Sequence, residues 1–210
     1  MAADAIVHVI DDDEAVRQSL EFLLRTAGVA ARTYDSAAAF LKELPTIENG
    51  CVITDVRMPG ISGIELLRRL GELQVKLPVI VITGHGDVPL AVEAMKSGAV
   101  DFFEKPYEDE LLLGSVRSAL DRSQQNASRD SRRAEVEARL ANLTNREREV
   151  LQGLVAGKPN KVIAFDLAIS PRTVEIYRAN VMTKMAAASL SELVRMALVS
   201  GLMNREVTGE

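Results

Sequence analysis

The sequence predicts two domains of different class: a doubly wound α/β domain on a five-stranded parallel sheet, then an all-α domain of four helices. Three observations carry this. Residues 1–106 alternate short apolar runs with amphipathic stretches, the pattern of strands and helices joined by right-handed crossovers. Residues 140–210 show helical spacing alone. Residues 121–140, between them, have no proline or glycine and few apolar side chains, so little core can form there.

Five strands are expected in the first domain: "AIVHVI" (5–10), "VAARTY" (29–34), "CVIT" (51–54), "LPVIVIT" (77–83) and "VDFFE" (100–104), each bounded by turn residues or acids. Four helical patterns separate them. In the first, Val16, Leu20, Leu23 and Leu24 recur at helical spacing; in the third, Ile64, Leu66, Leu67 and Leu70 do, with Ser62 as N-cap. A fifth helix should follow Pro106. The domains are expected at 1–122 and 140–210, joined by a helical or partly helical linker at 123–139. Its Ala, Glu, Arg and Gln content suits a solvated helix, while its polarity also suits a coil.

In the second domain Thr144 and Glu147 form a capping box, opening a helix whose apolar stripe is Val150, Leu151, Leu154 and Val155 and which ends at Gly157. Asn160 starts a short helix, "NKVIAFDL". Ser170 and Pro171 supply the N-cap and first position of a third helix running to about Met185. Ser189 and Glu192 read as a second capping box, opening a helix with Leu190, Leu193, Val194, Ala197 and Leu198 on one face. The turn at 168–170 separates two short helices, as in a helix-turn-helix.

Composition narrows the function classes. One cysteine and two histidines, without metal-ligand spacing, leave neither a disulfide framework nor a structural zinc site. No apolar run approaches the roughly 20 residues that cross a bilayer, and "MAADAIVHVIDDDE" lacks the basic and long apolar regions of a secretion signal. A cytoplasmic location is expected. The net charge of −5 hides an asymmetry: residues 1–138 hold 15 Lys and Arg against 23 Asp and Glu, a balance of −8, while 139–210 hold 10 against 7, a balance of +3. The two parts should face different partners.

In an open α/β sheet, ligands gather outside the carboxyl ends of the strands. Strand one ends in Asp11, Asp12, Asp13 and Glu14, strand three in Asp55 and strand four in Thr83, while strand five leads to Lys105. Carboxylates brought together there repel unless a cation sits between them, and Mg²⁺ or Mn²⁺ suits oxygen donors. Asp55 is then the candidate nucleophile, accepting a phosphoryl group as an acyl phosphate. The cation would be held by Asp11 or Asp12 together with Asp55, and Lys105 and Thr83 would bind the remaining phosphoryl oxygens. Taken singly, each residue has a plainer role: an acid can cap a helix or a turn, Thr83 can satisfy a backbone group, and Lys105 can form a surface ion pair. Four strand ends supplying complementary groups favour the site.

The motifs "VIDDDE", "ITDVRMPGISGIELL", "VIVITGHGD" and "DFFEKPYE" resemble those of two-component response-regulator receiver domains, over residues 5 to 120. The resemblance implies a flavodoxin-like receiver fold and phosphorylation of Asp55 by a partner sensor histidine kinase. It implies a metal site completed by Asp11, Asp12 and the Arg57 backbone carbonyl, and a switch pair of Thr83 and Phe102. It also implies dimerisation through the face of the fourth helix, fifth strand and fifth helix. Phenylalanine stands at 102 where tyrosine is frequent, so no phenolic hydroxyl is available there.

On a helical wheel from Ser170, Val174, Tyr177, Val181 and Met185 cluster on one side, which should pack inward. Arg172, Ile176, Ala179 and Thr183 lie opposite, flanked by Glu175, Asn180 and Lys184, a mixed face that suits base readout in a major groove. Lys161, Thr173 and Lys184 are candidate phosphate contacts. A bundle helix that binds protein is the competing reading of the same face. Residues 140 to 202 resemble the LuxR-type DNA-binding domain, which implies promoter DNA as a partner and a last helix that supports dimers. A Mg²⁺-dependent phosphohydrolase also forms an aspartyl phosphate, but such sites place a second acid two residues after the nucleophile, where this chain has Arg57.

Overall fold

The computed structural model describes residues 5–84 and 88–200. His85, which the sequence reads as a loop residue, lies outside the described residues. The chain forms two compact units, Met1–Ser128 and Arg129–Glu210.

The first unit runs β1 (Ile6–Ile10), α1 (Glu14–Thr26), β2 (Ala31–Tyr34), α2 (Ala37–Glu43), β3 (Gly50–Asp55), α3 (Gly63–Glu72), β4 (Val79–Thr83), α4 (Val88–Lys96), β5 (Asp101–Glu104) and the start of α5 (Asp109–Ala141). The strands pair in parallel in the order β2-β1-β3-β4-β5, giving the expected five-stranded sheet. The order reverses beside β1, and a ligand crevice forms at such a switch point. Every residue of β3 is buried, because helices cover both faces of a parallel sheet. Alternate side chains go to opposite layers. Val52 and Val81 pack with Phe40, Leu66 and Leu70 from α2 and α3, while Cys51, Ile53 and Ile80 pack with Leu20 and Leu24 of α1 and Leu112 and Val116 of α5.

Strand bounds differ from the apolar runs: β2 starts at Ala31 and β4 at Val79, each two residues later than expected, and β3 runs from Gly50 to Asp55, one residue further at each end. α5 is helical without a break from Asp109 to Ala141. Its buried positions Leu112, Val116, Ala119 and Ser123 face the first unit's core, and Val136 and Leu140 enter the core of the second.

The second unit continues with α6 (Asn145–Val155), α7 (Asn160–Asp166), α8 (Pro171–Lys184) and α9 (Leu190–Val199). The Thr144 capping box is complete: Thr144 Oγ1 accepts from the Glu147 N–H and Glu147 Oε2 accepts from the Thr144 N–H. Ser170 caps α8 with Pro171 at its first position. The box at Ser189 is only half formed. Ser189 accepts from the Glu192 N–H, but the Glu192 carboxylate reaches one residue further back to the Ala188 N–H. The core joins Val150, Leu151 and Leu154 of α6 to Ile163 of α7, Val174 and Val181 of α8 and Leu193 of α9.

Candidate functional site

Asp11 follows β1, Asp55 ends β3, Thr83 ends β4 and Lys105 follows β5, so four chain segments deliver polar groups to the carboxyl edge of the sheet. Lys105 Nζ donates to Asp11 Oδ2 and to Asp55 Oδ1, each at 2.9 Å. Both carboxylates are buried, 4% and 8% exposed, so they share one ammonium in a place poor in water. Burial pulls the pKa of the Lys105 ammonium down, but the hydrogen bonds it donates to Asp55 and Asp11, and their charges, outweigh burial and raise it above its ordinary value. Lys105 is therefore charged across the physiological range. Its peptide bond to Pro106 is cis.

The second oxygen of Asp55 accepts from the Arg57 N–H at 2.6 Å, fixing the carboxylate in its loop. The three consecutive acids have separate fates. Asp11 is buried and faces Lys105, Asp12 is exposed, and Asp13 is the N-cap of α1, accepting from the Ala15 N–H. The turn that divides them is held by Arg17, whose Nη1 donates to the Asp11 carbonyl at 2.7 Å and to the Asp12 carbonyl at 3.0 Å. Thr83 is 1% exposed, and its carbonyl accepts from the Lys105 N–H, tying the lysine to the β4 edge. Phe102 pairs with Val81 in the sheet and is half-buried against the layer of α2, α3 and α4.

Two residues important to this geometry escaped the sequence reading. One is Arg17, which carries no local pattern that marks it as a loop anchor. The other is Gly63, the first residue of α3. A Cβ there would stand 2.2 Å from the Asp55 carbonyl oxygen and 3.2 Å from Thr54 Cγ2, and its N–H donates to the Val56 carbonyl at 3.0 Å. The glycine lets α3 begin directly against the acid. "GISG" signalled a turn, but not this contact.

Could the edge hold a divalent cation? Two buried carboxylates, against one lysine, leave net negative charge lined by hard oxygen donors, which fits Mg²⁺ or Mn²⁺. Among the described residues no cluster of three or more His, Cys, Asp or Glu side chains is poised for a metal, so a carbonyl and water would have to complete the shell.

In the second unit α8 displays the expected division. Val174, Val181 and Met185 are fully buried and Tyr177 packs on the core, whereas Arg172, Glu175, Ile176, Ala179, Asn180 and Thr183 are exposed. Ile176 is 56% exposed, so an apolar group stands on the polar face. Lys161 is exposed on α7. Two of the phosphate candidates also make contacts within the protein. Thr173 engages its hydroxyl with Ser170 Oγ at 2.7 Å. Lys184 is exposed and also places its ammonium 2.7 Å from Glu147 Oε2, a carboxylate that is 3% exposed and needs a cation. The hydrogen bonds from Lys184 and from the Thr144 backbone hold the Glu147 carboxyl below its ordinary value of 4.5.

An acid-lined edge on an open parallel sheet, carried in one chain with a helix-turn-helix, defines a signal-receiving regulator of DNA. Residues 7–117 match the response regulator receiver domain family, and residues 141–197 match the bacterial regulatory proteins of the luxR family. The chain belongs to the response regulators, as a transcription regulator with a receiver domain and a LuxR-type helix-turn-helix domain. It is 60% identical over 196 residues to the transcriptional regulatory protein FixJ of Azorhizobium caulinodans, covering 93% of each chain. It is 54% identical to FixJ of Rhizobium meliloti, covering 94% of this chain and 97% of that one. Among solved structures it is similar to the response regulator StyR (TM-score 0.85, 39% identity, 93% of this chain and 99% of that one) and to full-length FixJ from B. japonicum (TM-score 0.58, 53% identity, 96% and 99%).

Proposed function

We propose that Asp55 is the phosphoacceptor of this regulator and that its phosphorylation drives dimerisation and promoter binding. The observation that carries the reading is the buried pair Asp11 and Asp55 held on one lysine at the sheet edge. An Asp55 carboxylate oxygen attacks phosphorus on the phosphohistidine of a sensor kinase. The N–P bond breaks, the imidazole leaves, and an acyl phosphate remains. Lys105 then moves its ammonium from the free carboxylate to a phosphoryl oxygen, which answers charge with charge. The Thr83 hydroxyl serves the next oxygen, and the Phe102 ring follows it inward. Asp11, Asp12, Asp55 and the Arg57 carbonyl would hold Mg²⁺ or Mn²⁺, which when bound offsets charge on the transferring group. The chain turns over no external substrate.

The exposed face Arg172, Glu175, Ile176, Ala179, Asn180 and Thr183 reads bases, and Lys161 contacts phosphate. On its likeness to the regulators named FixJ, we read this protein as a cytoplasmic activator of nitrogen-fixation genes that takes its phosphoryl group from a FixL-like kinase. The test is mass spectrometry after incubation with acetyl phosphate and Mg²⁺, with mass in solution and mobility shift measured on the same samples. We expect one phosphoryl adduct on Asp55, a doubled mass and a shifted duplex, all lost in Asp55→Asn. An adduct on another residue, or promoter binding that ignores Asp55→Asn, overturns the proposal.

A further inference from the structure

The matched luxR-family region starts at residue 141, yet the core of the second unit takes Val136 and Leu140 from the last turns of α5. Polar contacts tie the same turns to α8. Arg139 Nη1 donates to the carbonyl of Met185, the C-cap of α8, at 2.9 Å, and its Nη2 is held by Glu135 one turn back at 2.6 Å. In the other direction Lys184, the last residue of α8, donates to the carbonyl of Asn142, just past the end of α5, at 3.4 Å, besides its ion pair with Glu147. Each helix thus ends with a cation on carbonyls at the other's C-terminus, where backbone acceptors are unsatisfied and the helix dipole is negative.

Apolar contacts have no direction, so directed polar contacts help to fix the slide and rotation of a helix. At this end of α8 they are the Lys184 ion pair and the Arg139 guanidinium on the terminal carbonyl. The residues that read bases, Arg172, Ile176, Ala179 and Thr183, ride on the same rigid helix within four turns of the pinned end. We propose that Arg139, upstream of the matched DNA-binding region, is a positioning residue that sets the pose of α8 and hence its base selectivity. The inference rests on the reading of α8 as the recognition helix. Arg139 itself touches protein and needs no contact with DNA.

The test uses the full chain, activated with acetyl phosphate and Mg²⁺, and two duplexes: one enriched by the wild-type chain from a random-sequence pool, and one of mixed sequence. Phosphate contacts support binding to both, whereas pose matters only where bases are read. For Arg139→Ala we expect a loss of at least about tenfold on the enriched duplex. Affinity for the mixed duplex and the slope of log K against log salt should stay at wild-type values, since a phosphate contact is worth about 0.9 in that slope. Arg139→Lys, which keeps a donor, should recover part of the selectivity. An unchanged ratio between duplexes, or a fall on both with a shallower slope, overturns the inference. Should Arg139→Ala lose its helical circular dichroism, Glu135→Ala, which frees the guanidinium without removing it, must show a smaller loss of the same kind; an unchanged ratio there also overturns it. If the wild-type chain enriches no sequence, the recognition-helix reading itself fails.

Discussion

Lys105 is shared by two carboxylates that lie 94 and 50 residues away in sequence. Removing it leaves two buried acids facing each other, and breaking a buried pair is costly because the surviving charges lose their partner. Lys105→Met should therefore destabilise the first unit by about 1–3 kcal/mol in metal-free buffer at pH 7, with much of the loss restored by millimolar Mg²⁺. Denaturant melts with and without the ion measure this, and a variant as stable as wild type without Mg²⁺ would refute the electrostatic account. His8 makes a different prediction. Its ring is buried against Tyr34 and Phe40, Nδ1 is 3.0 Å from the Tyr34 hydroxyl, and burial, aided by the Arg32 charge, pulls its pKa from 6.5 to about 4. The folded state holds His8 neutral while the unfolded chain takes up a proton below 6.5. Stability supplied by the neutral ring is present above pH 6.5 and disappears as pH falls toward 4. At about 1.4 kcal/mol for each pKa unit, roughly 3 kcal/mol is at stake. The pH dependence of wild type minus that of His8→Phe isolates it, and parallel curves would count against it. The place of Asp55 at the sheet edge was legible at this scale, since it closes an apolar run. The division of labour among Asp11, Asp12 and Asp13 was not, because the path of the backbone, fixed by Arg17, assigns three identical side chains to three roles.

At the scale of elements, the junction of β3 and α3 is the point where strand register and site geometry meet. With Gly63 standing 2.2 Å, by its Cβ position, from the Asp55 carbonyl, Gly63→Ala must push α3 away from the acid. The contact is with backbone, so no side-chain rotation can relieve it. We expect a loss of about 2 kcal/mol or more and a slower rate of acetyl-phosphate labelling at Asp55; an alanine variant that melts and labels like wild type would show that the junction yields freely. Helix ends were the most legible elements. Ser62, Thr144, Ser170 and Ser189 all serve as N-caps, because a cap needs only residues three or four positions apart. The partner of Lys184 was not legible, for the opposite reason. Its place on the wheel marks it as outward, and it is exposed, but Glu147, 37 residues earlier, also holds its ammonium.

For the molecule as a whole, each unit has a separate apolar core and the charge differs in sign between the acidic first part and the basic second. Thermal unfolding followed by calorimetry should accordingly show two transitions, with Mg²⁺ raising only that of the first unit. A single transition shifted as a whole would contradict independent cores. By itself the sequence determined the class of each unit, the strand and helix complement, the caps, and the acid, hydroxyl and amine at the strand ends. Periodicity, capping and the residue that closes an apolar run are local properties of a chain. Tertiary structure alone decided that Asp11 and not Asp12 meets Lys105, that Gly63 must lack a side chain, that Glu147 claims Lys184, and that Arg139 reaches the end of α8. Each of these is a contact between segments far apart in sequence, and only the folded path of the backbone sets which groups come within hydrogen-bonding distance.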